Sequence, residues 1–144
     1  ALPQDALISI PANTLDHPAR TQRLERIVKE MVKVKHLPPY LSFAGVARND
    51  GNFTVDAWKG PLEPASPRGL KAWGTAHLPS SAVELAEMTH WDSESSTGLF
   101  AAAPAAVWKH PPHVYAHLAW QLTAMKPESC HYLERLWRYL FGTI

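Results

Sequence analysis

The chain has 144 residues, 46% hydrophobic and 19% charged, with 13 Pro and 7 Gly. This composition suits one compact domain, residues 1–144, and excludes a disordered, collagen-like or repeat architecture. Lys and Arg total 14 against 13 Asp and Glu, a net charge of +1, which argues against nucleic acid or an anionic membrane surface as partner.

The single cysteine, Cys130, excludes an internal disulfide and a paired-thiolate zinc cluster. No apolar run reaches the length of a membrane span, and Ala1-Leu2-Pro3 lacks the basic start and apolar stretch of a signal peptide. The expectation is a soluble chain, cytoplasmic unless a leader was removed before Ala1, in which case Asn52-Phe53-Thr54 becomes a glycosylation motif.

In chain order, Ala6 to Ile10 reads as a strand. From Thr21 to Lys35, Leu24, Ile27, Val28, Met31 and Val34 recur at helical spacing, so this stretch is an amphipathic helix stopped by Leu37-Pro38-Pro39. Tyr40 to Val46 and Phe53 to Trp58 flank the turn residues Asn49-Asp50-Gly51 and predict a β-hairpin. Residues 59–79, rich in Pro and Gly, predict a long ordered loop. Ser81 to Met88 forms a short helix with capping-box spacing between Ser81 and Glu84, and Trp91 to Gly98 is polar and turn-forming. Leu99 to Ala103 is a short apolar strand. Three helical pieces follow, Pro104–Lys109, Pro112–Met125 and Glu128–Phe141, the last closed by Gly142. The fold class expected is α+β, a small sheet with a hairpin packed by amphipathic helices and a helical C-terminal third.

Two stretches carry a resemblance. Cys130-His131-Tyr132-Leu133-Glu134-Arg135-Leu136-Trp137-Arg138-Tyr139-Leu140-Phe141-Gly142, preceded by Gly98 to Pro111, and Leu37-Pro38-Pro39-Tyr40-Leu41-Ser42-Phe43-Ala44-Gly45 after an amphipathic helix cover about half the chain. They resemble a fungal family, domain of unknown function 3431, whose members end in a Glu-Arg-Leu-Trp helix followed by Phe-Gly. That family is similar to glycosyltransferases in overall plan, which implies a nucleotide-sugar donor held by a metal. The chain contains no Asp-x-Asp, and reads Ala47-Arg48-Asn49-Asp50-Gly51 where the family has a His- and Trp-bearing stretch. The resemblance therefore implies a diverged and shortened member, and speaks to fold more than to activity.

Among residues able to carry chemistry, His113 and His117 have the spacing of two metal ligands on one helix face but lack a third, so they read as exposed helix residues and no metal is expected. His90, Asp92 and Glu94 straddle Trp91, and a carboxylate beside an imidazole can orient a general acid or base. One of Glu134 and Arg135 is expected to pair with a charge on an adjacent helix and lock packing, and Cys130 to be a structural thiol. Trp108, Trp120 and Trp137 lie on helices and are assigned to the core. Trp58, Trp73 and Trp91 flank loops and are assigned to one apolar wall able to stack on a flat molecule or a sugar face.

No phosphate loop, dinucleotide fingerprint or complete metal set is present, so any chemistry is expected to need no cofactor. The expectation is a cofactor-independent cyclase or isomerase of fungal secondary metabolism acting on a hydrophobic small molecule, pericyclic (Diels-Alder type) chemistry included, with His90 and Asp92 catalytic and Trp58, Trp73 and Trp91 binding. The alternative is a sugar-binding module related to glycosyltransferases or a non-catalytic small-molecule-binding module. Substrate and oligomeric state are not legible in the sequence.

Overall fold

The computed structural model describes residues 7–9, 18–33, 39–42, 46–95 and 100–142. The elements run β1 (Leu7–Ser9), α1 (Pro18–Lys33), β2 (Tyr40–Ser42), β3 (Val46–Asn49), α2 (Leu70–His77), α3 (Ser80–Met88), β4 (Ser93–Ser95), β5 (Phe100–Ala102), α4 (Pro104–Trp108), α5 (Pro112–Trp120) and α6 (Ser129–Phe141). The class is α+β with a helical C-terminal region, as the hydrophobic patterning predicts. In α1, Leu24 and Val28 are half-buried while Glu25, Arg26 and Lys29 are exposed, the two-faced pattern read from their spacing. The Leu37-Pro38 stop and the Phe43-Ala44-Gly45 end of the predicted strand lie outside the described residues.

The strands form two antiparallel sheets, one in the order β1-β5-β2 and one pairing β3 with β4. β5 is central, with Ala101 opposite both Ile8 and Leu41, and Phe100, Ala101 and Ala102 are all buried. A strand covered on both faces takes small and apolar residues throughout, hence the run of alanines.

The predicted hairpin is corrected here. β2 pairs with β5 and β3 with β4, and Phe53 to Trp58 carries no strand. The Asp50-Gly51 turn does form, with the Asn52 amide donating to the Asp50 carboxylate at 2.9 Å. Beyond it the backbone groups that a ladder would use are spent elsewhere. The Phe53 and Gly51 carbonyls accept the amides of Leu70 and Lys71, the first residues of α2, and the Val55 amide donates to Glu128. A long-range partner for each group outcompetes the local strand.

The long loop is also corrected, since α2 occupies residues 70–77 within it. Gly69 makes this possible. Its φ of 101° is a left-handed conformation that only glycine adopts without strain, and it turns the chain into the helix. Gly74 is required for another reason: a Cβ there would lie 2.3 Å from the Trp91 ring, so the indole packs directly on the helix backbone. α3 has Pro79 as its N-cap, two residues before the Ser81 that the capping-box spacing suggests. No side chain caps it, and the Pro79 carbonyl accepts the Ala82 and Val83 amides instead.

α6 is the organising helix. Tyr132, Leu133, Leu136, Tyr139 and Leu140 are buried, and it packs against α2, α3, β2 and β4. Trp137 is half-buried and stacks on Phe141, with centroids 5.5 Å apart and planes 2° from parallel. Trp108 and Trp120, assigned to the core from sequence, are 80% and 73% exposed, so that assignment is reversed for both. Their helices bury other faces, through Ala106 and Leu118.

Candidate functional site

The expected site residues do not share one cleft. Trp73 is fully buried, against His77 and Tyr132, and Trp91 is buried against Gly74 and Tyr139. Both are core residues rather than an open wall. The reason lies at the end of α3, where His90 and Trp91 take left-handed φ values of 53° and 58° and fold the indole under α2. His90 is left exposed. Asp92 is half-buried, and its backbone carbonyl, rather than its carboxylate, accepts the Tyr139 hydroxyl at 2.5 Å. Of the three tryptophans only Trp58 is open to solvent, at 63% exposure.

A buried charge centre that the sequence does not announce stands at the start of α6. Glu128 is completely buried, and its carboxylate accepts the Val55 amide at 2.8 Å, the Ala65 amide at 3.0 Å, the Tyr132 hydroxyl at 2.7 Å and Arg68 Nε at 3.2 Å. Burial pushes this carboxyl up, but the Ala65 amide, the Tyr132 hydroxyl, the Val55 amide and the Arg68 guanidinium together hold it below the ordinary carboxylate range. Arg68 also bonds Asp56, so the cation is shared between two acids. The only sequence signal for Glu128 is an acid at a helix start, a common dipole partner. Its partners at 55, 65 and 68 are 60 or more residues distant.

Among the described residues, three cavities lie near this centre. The largest, about 570 Å³, is lined by Gly51, Asn52, Thr54, Arg68, Lys71 and Thr75 among others. Its cations are already occupied: Lys71 bonds Glu87 at 2.9 Å and Arg68 holds Asp56 and Glu128. The N–H groups of Gly69, Leu70 and Lys71 at the start of α2 are filled by Tyr132, Phe53 and Gly51. A second cleft, about 180 Å³, lies between Ala65-Ser66, Trp73, Trp120-Gln121 and Ser129. Near it His77 Nε2 meets the Ser66 carbonyl at 2.8 Å, and His77 Nδ1 meets His117 Nε2 at 3.0 Å.

The third cavity, about 320 Å³, is lined by Trp58, Lys59, Leu62, Lys126, Pro127, Cys130 and His131. A tight turn builds its rim. The Trp58 amide donates to the Gly60 carbonyl at 2.9 Å, Lys59 sits in the left-handed region at φ 52°, and Gly60 follows at 119°. A non-glycine residue in that region is strained by roughly 1 kcal/mol or more. The turn leaves the Trp58 ring edge-on to His131, with centroids 6.1 Å apart. Lys126 Nζ reaches the Lys59 carbonyl at 3.5 Å. Among the described residues neither Lys59 nor Lys126 takes part in an ion pair.

His131 lies in the first turn of α6 with Nδ1 3.7 Å from Glu134 Oε2. Burial, and after it the Arg135 charge, lowers its pKa, which leaves the imidazole neutral at pH 7. Burial raises the Cys130 thiol, and Glu134 adds to that, so the helix start does not activate the sulfur. Arg135 lies over the Phe53 ring at 4.0 Å and donates to the His131 carbonyl at 2.6 Å. It thus ties α6 to the 50–55 segment through an aromatic face.

His113 is exposed, and the partner that His117 does find is His77 on another helix. Among the described residues no group of three or more His, Cys, Asp or Glu is placed to hold a metal ion, and no helix is long and apolar enough to cross a membrane. His110, buried, bonds the Leu140 carbonyl through Nε2 at 2.7 Å and is a packing residue. No protein-family model, curated protein or solved structure matches the chain.

Proposed function

We propose that the chain is a small-molecule-binding domain whose site is the Trp58 cavity, and that its ligand is a flat molecule carrying an anionic group. The observation that supports this is the placement of two ammonium groups outside any described ion pair, Lys59 and Lys126, beside one exposed indole at the N-terminal turn of α6. An indole face takes a ring by stacking, and two cations beside it favour a carboxylate. Leu62 and Pro127 supply apolar lining, the mixture of a largely apolar wall with few polar groups that small-molecule sites use. The larger cavity is less suited to an anion because its cations, Arg68 and Lys71, are already ion-paired.

The cyclase or isomerase expectation, as formulated on His90 and Asp92, draws no support from these cavities, since neither residue lines any of the three. Kinship with the fungal domain family 3431 is a proposal resting on the Glu134 to Trp137 helix and Phe141-Gly142.

The test is calorimetric titration with 1-naphthoate and with its neutral analogue 1-naphthalenemethanol. Naphthoate should bind, more tightly than the alcohol, and both Trp58→Ala and Lys126→Gln should weaken it at least tenfold. Equal binding of acid and alcohol, or binding indifferent to both substitutions, would remove the assignment.

A further inference from the structure

We propose that the Trp58 cavity is a proton-transfer site, in which His131 is the base for a carbon acid of the 2-oxo acid class bearing an aromatic ring, and Glu134 is the residue that positions it. This rests on the binding reading above and adds a reaction to it.

Three features converge on His131. The ring lines the cavity beside Trp58. Its Nδ1 side faces Glu134 at 3.7 Å, and among the described residues Nε2 has no hydrogen-bond partner. A neutral imidazole with a carboxylate behind one nitrogen and the other nitrogen unengaged is the arrangement a general base requires, because the carboxylate selects the tautomer and steadies the imidazolium that forms. The 3.7 Å separation is longer than a hydrogen bond and closes once the ring gains charge. Lys126 and Lys59 stand at the same cavity, where negative charge on a substrate oxygen would develop. The charged and titratable groups around the ring are Glu134, Arg135, Glu128 and Cys130 from α6 and its start, with Lys59 and Lys126 from the segments facing it.

The step balances without an added reagent. His131 Nε2 takes a proton from the carbon next to the carbonyl, and the C–H electron pair becomes the new C=C bond. The carbonyl π pair moves to oxygen, giving an enolate held against the ammonium groups. Return of a proton to oxygen gives the enol, and return to carbon regenerates the keto acid. Nothing is oxidised or reduced, and the net reaction is a tautomerisation. Trp58 would hold the aromatic ring and one ammonium the carboxylate, which leaves the acidic C–H over the imidazole.

Phenylpyruvate is the probe. Its binding is followed by quenching of Trp58 fluorescence relative to Trp58→Ala, and its chemistry by loss of the C3 proton signal in D2O by NMR. The wild-type protein should both bind phenylpyruvate and exchange its C3 protons faster than buffer. His131→Ala should lower exchange by about 100-fold, the low end of what a positioned base contributes, with added imidazole restoring part of it. Glu134→Gln should move the midpoint of the rate-against-pH profile downward, because imidazolium loses its carboxylate, a shift that a purely structural effect would not produce. Binding without exchange above buffer, or exchange unaltered in His131→Ala, overturns the proton-transfer proposal and leaves the binding reading standing. Absence of binding overturns both.

Discussion

The Tyr132 hydroxyl donates to Glu128 at 2.7 Å and accepts the Gly69 amide at 2.9 Å, so one phenol joins the buried acid at the start of α6 to the residue that opens α2. Burial and the adjacent carboxylate push its pKa up to about 12, and the phenol stays protonated, as this bridge needs. Through it the 53–69 segment, α2 and α6 share one polar centre.

Glu128→Ala should therefore destabilise the fold by about 2–4 kcal/mol, because it strands the Val55 and Ala65 amides, while the exposed Arg68 keeps Asp56 and water as partners. The linkage sign follows from the lowered carboxyl pKa. The stabilisation is complete above the unfolded value of about 4.3 and is lost as pH falls through the lower folded value. Urea unfolding from pH 6 downward should show a steepening loss in the wild type below about pH 4 that Glu128→Gln lacks.

Trp73→Ala and Trp91→Ala should each cost about 3–5 kcal/mol by opening a core cavity. Trp108→Ala and Trp120→Ala, which remove exposed rings, should change stability by no more than about 0.5 kcal/mol. Thermal melts of the four variants check this ordering, which inverts the one their helix and loop positions suggest.

Gly74→Ala tests the contact between α2 and Trp91. In an open helix the change would stabilise by about 1 kcal/mol. Here the methyl meets the indole at 2.3 Å, and over-packing of about 1–3 kcal/mol or more outweighs that gain. The variant should melt lower than wild type, and in a Trp91→Leu background the same substitution should lose most of its penalty, a coupling visible in a double-mutant cycle.

The His77–His117 pair makes a prediction free of energetics. The Ser66 carbonyl only accepts, so His77 must carry its proton on Nε2, and a neutral His77 must then accept from His117 Nε2–H. Nitrogen-15 NMR at pH 8 should find both rings as the Nε2–H tautomer, and His117→Ala should leave His77 Nε2 protonated but shift its Nδ1 resonance. A His77 ring protonated on Nδ1 alone would contradict the geometry.

What the sequence by itself determined is the local grammar. Leu24, Ile27, Val28, Met31 and Val34 at helical spacing marked an amphipathic helix, Pro104 and Pro112 marked two helix starts, and Leu99 to Ala103 marked a short apolar strand, because periodicity and proline act within a few residues. The Gly142 stop and the helical C-terminal third were legible for the same reason. The pairing of strands was not, since Phe53 to Trp58 has strand-like residues but gives its backbone groups to α2 and Glu128, which lie far along the chain. Burial of the tryptophans was likewise decided in three dimensions. Nothing near Trp73 or Trp91 in sequence says that Gly74 would leave room for an indole, or that two left-handed residues would turn it inward. For the site, Trp58 was legible as a loop-borne aromatic, while its companions Lys126 and His131 came from more than 60 positions away. A cavity is made by non-local packing, and which side chains face it follows only once α6 is docked against the 50–69 segment.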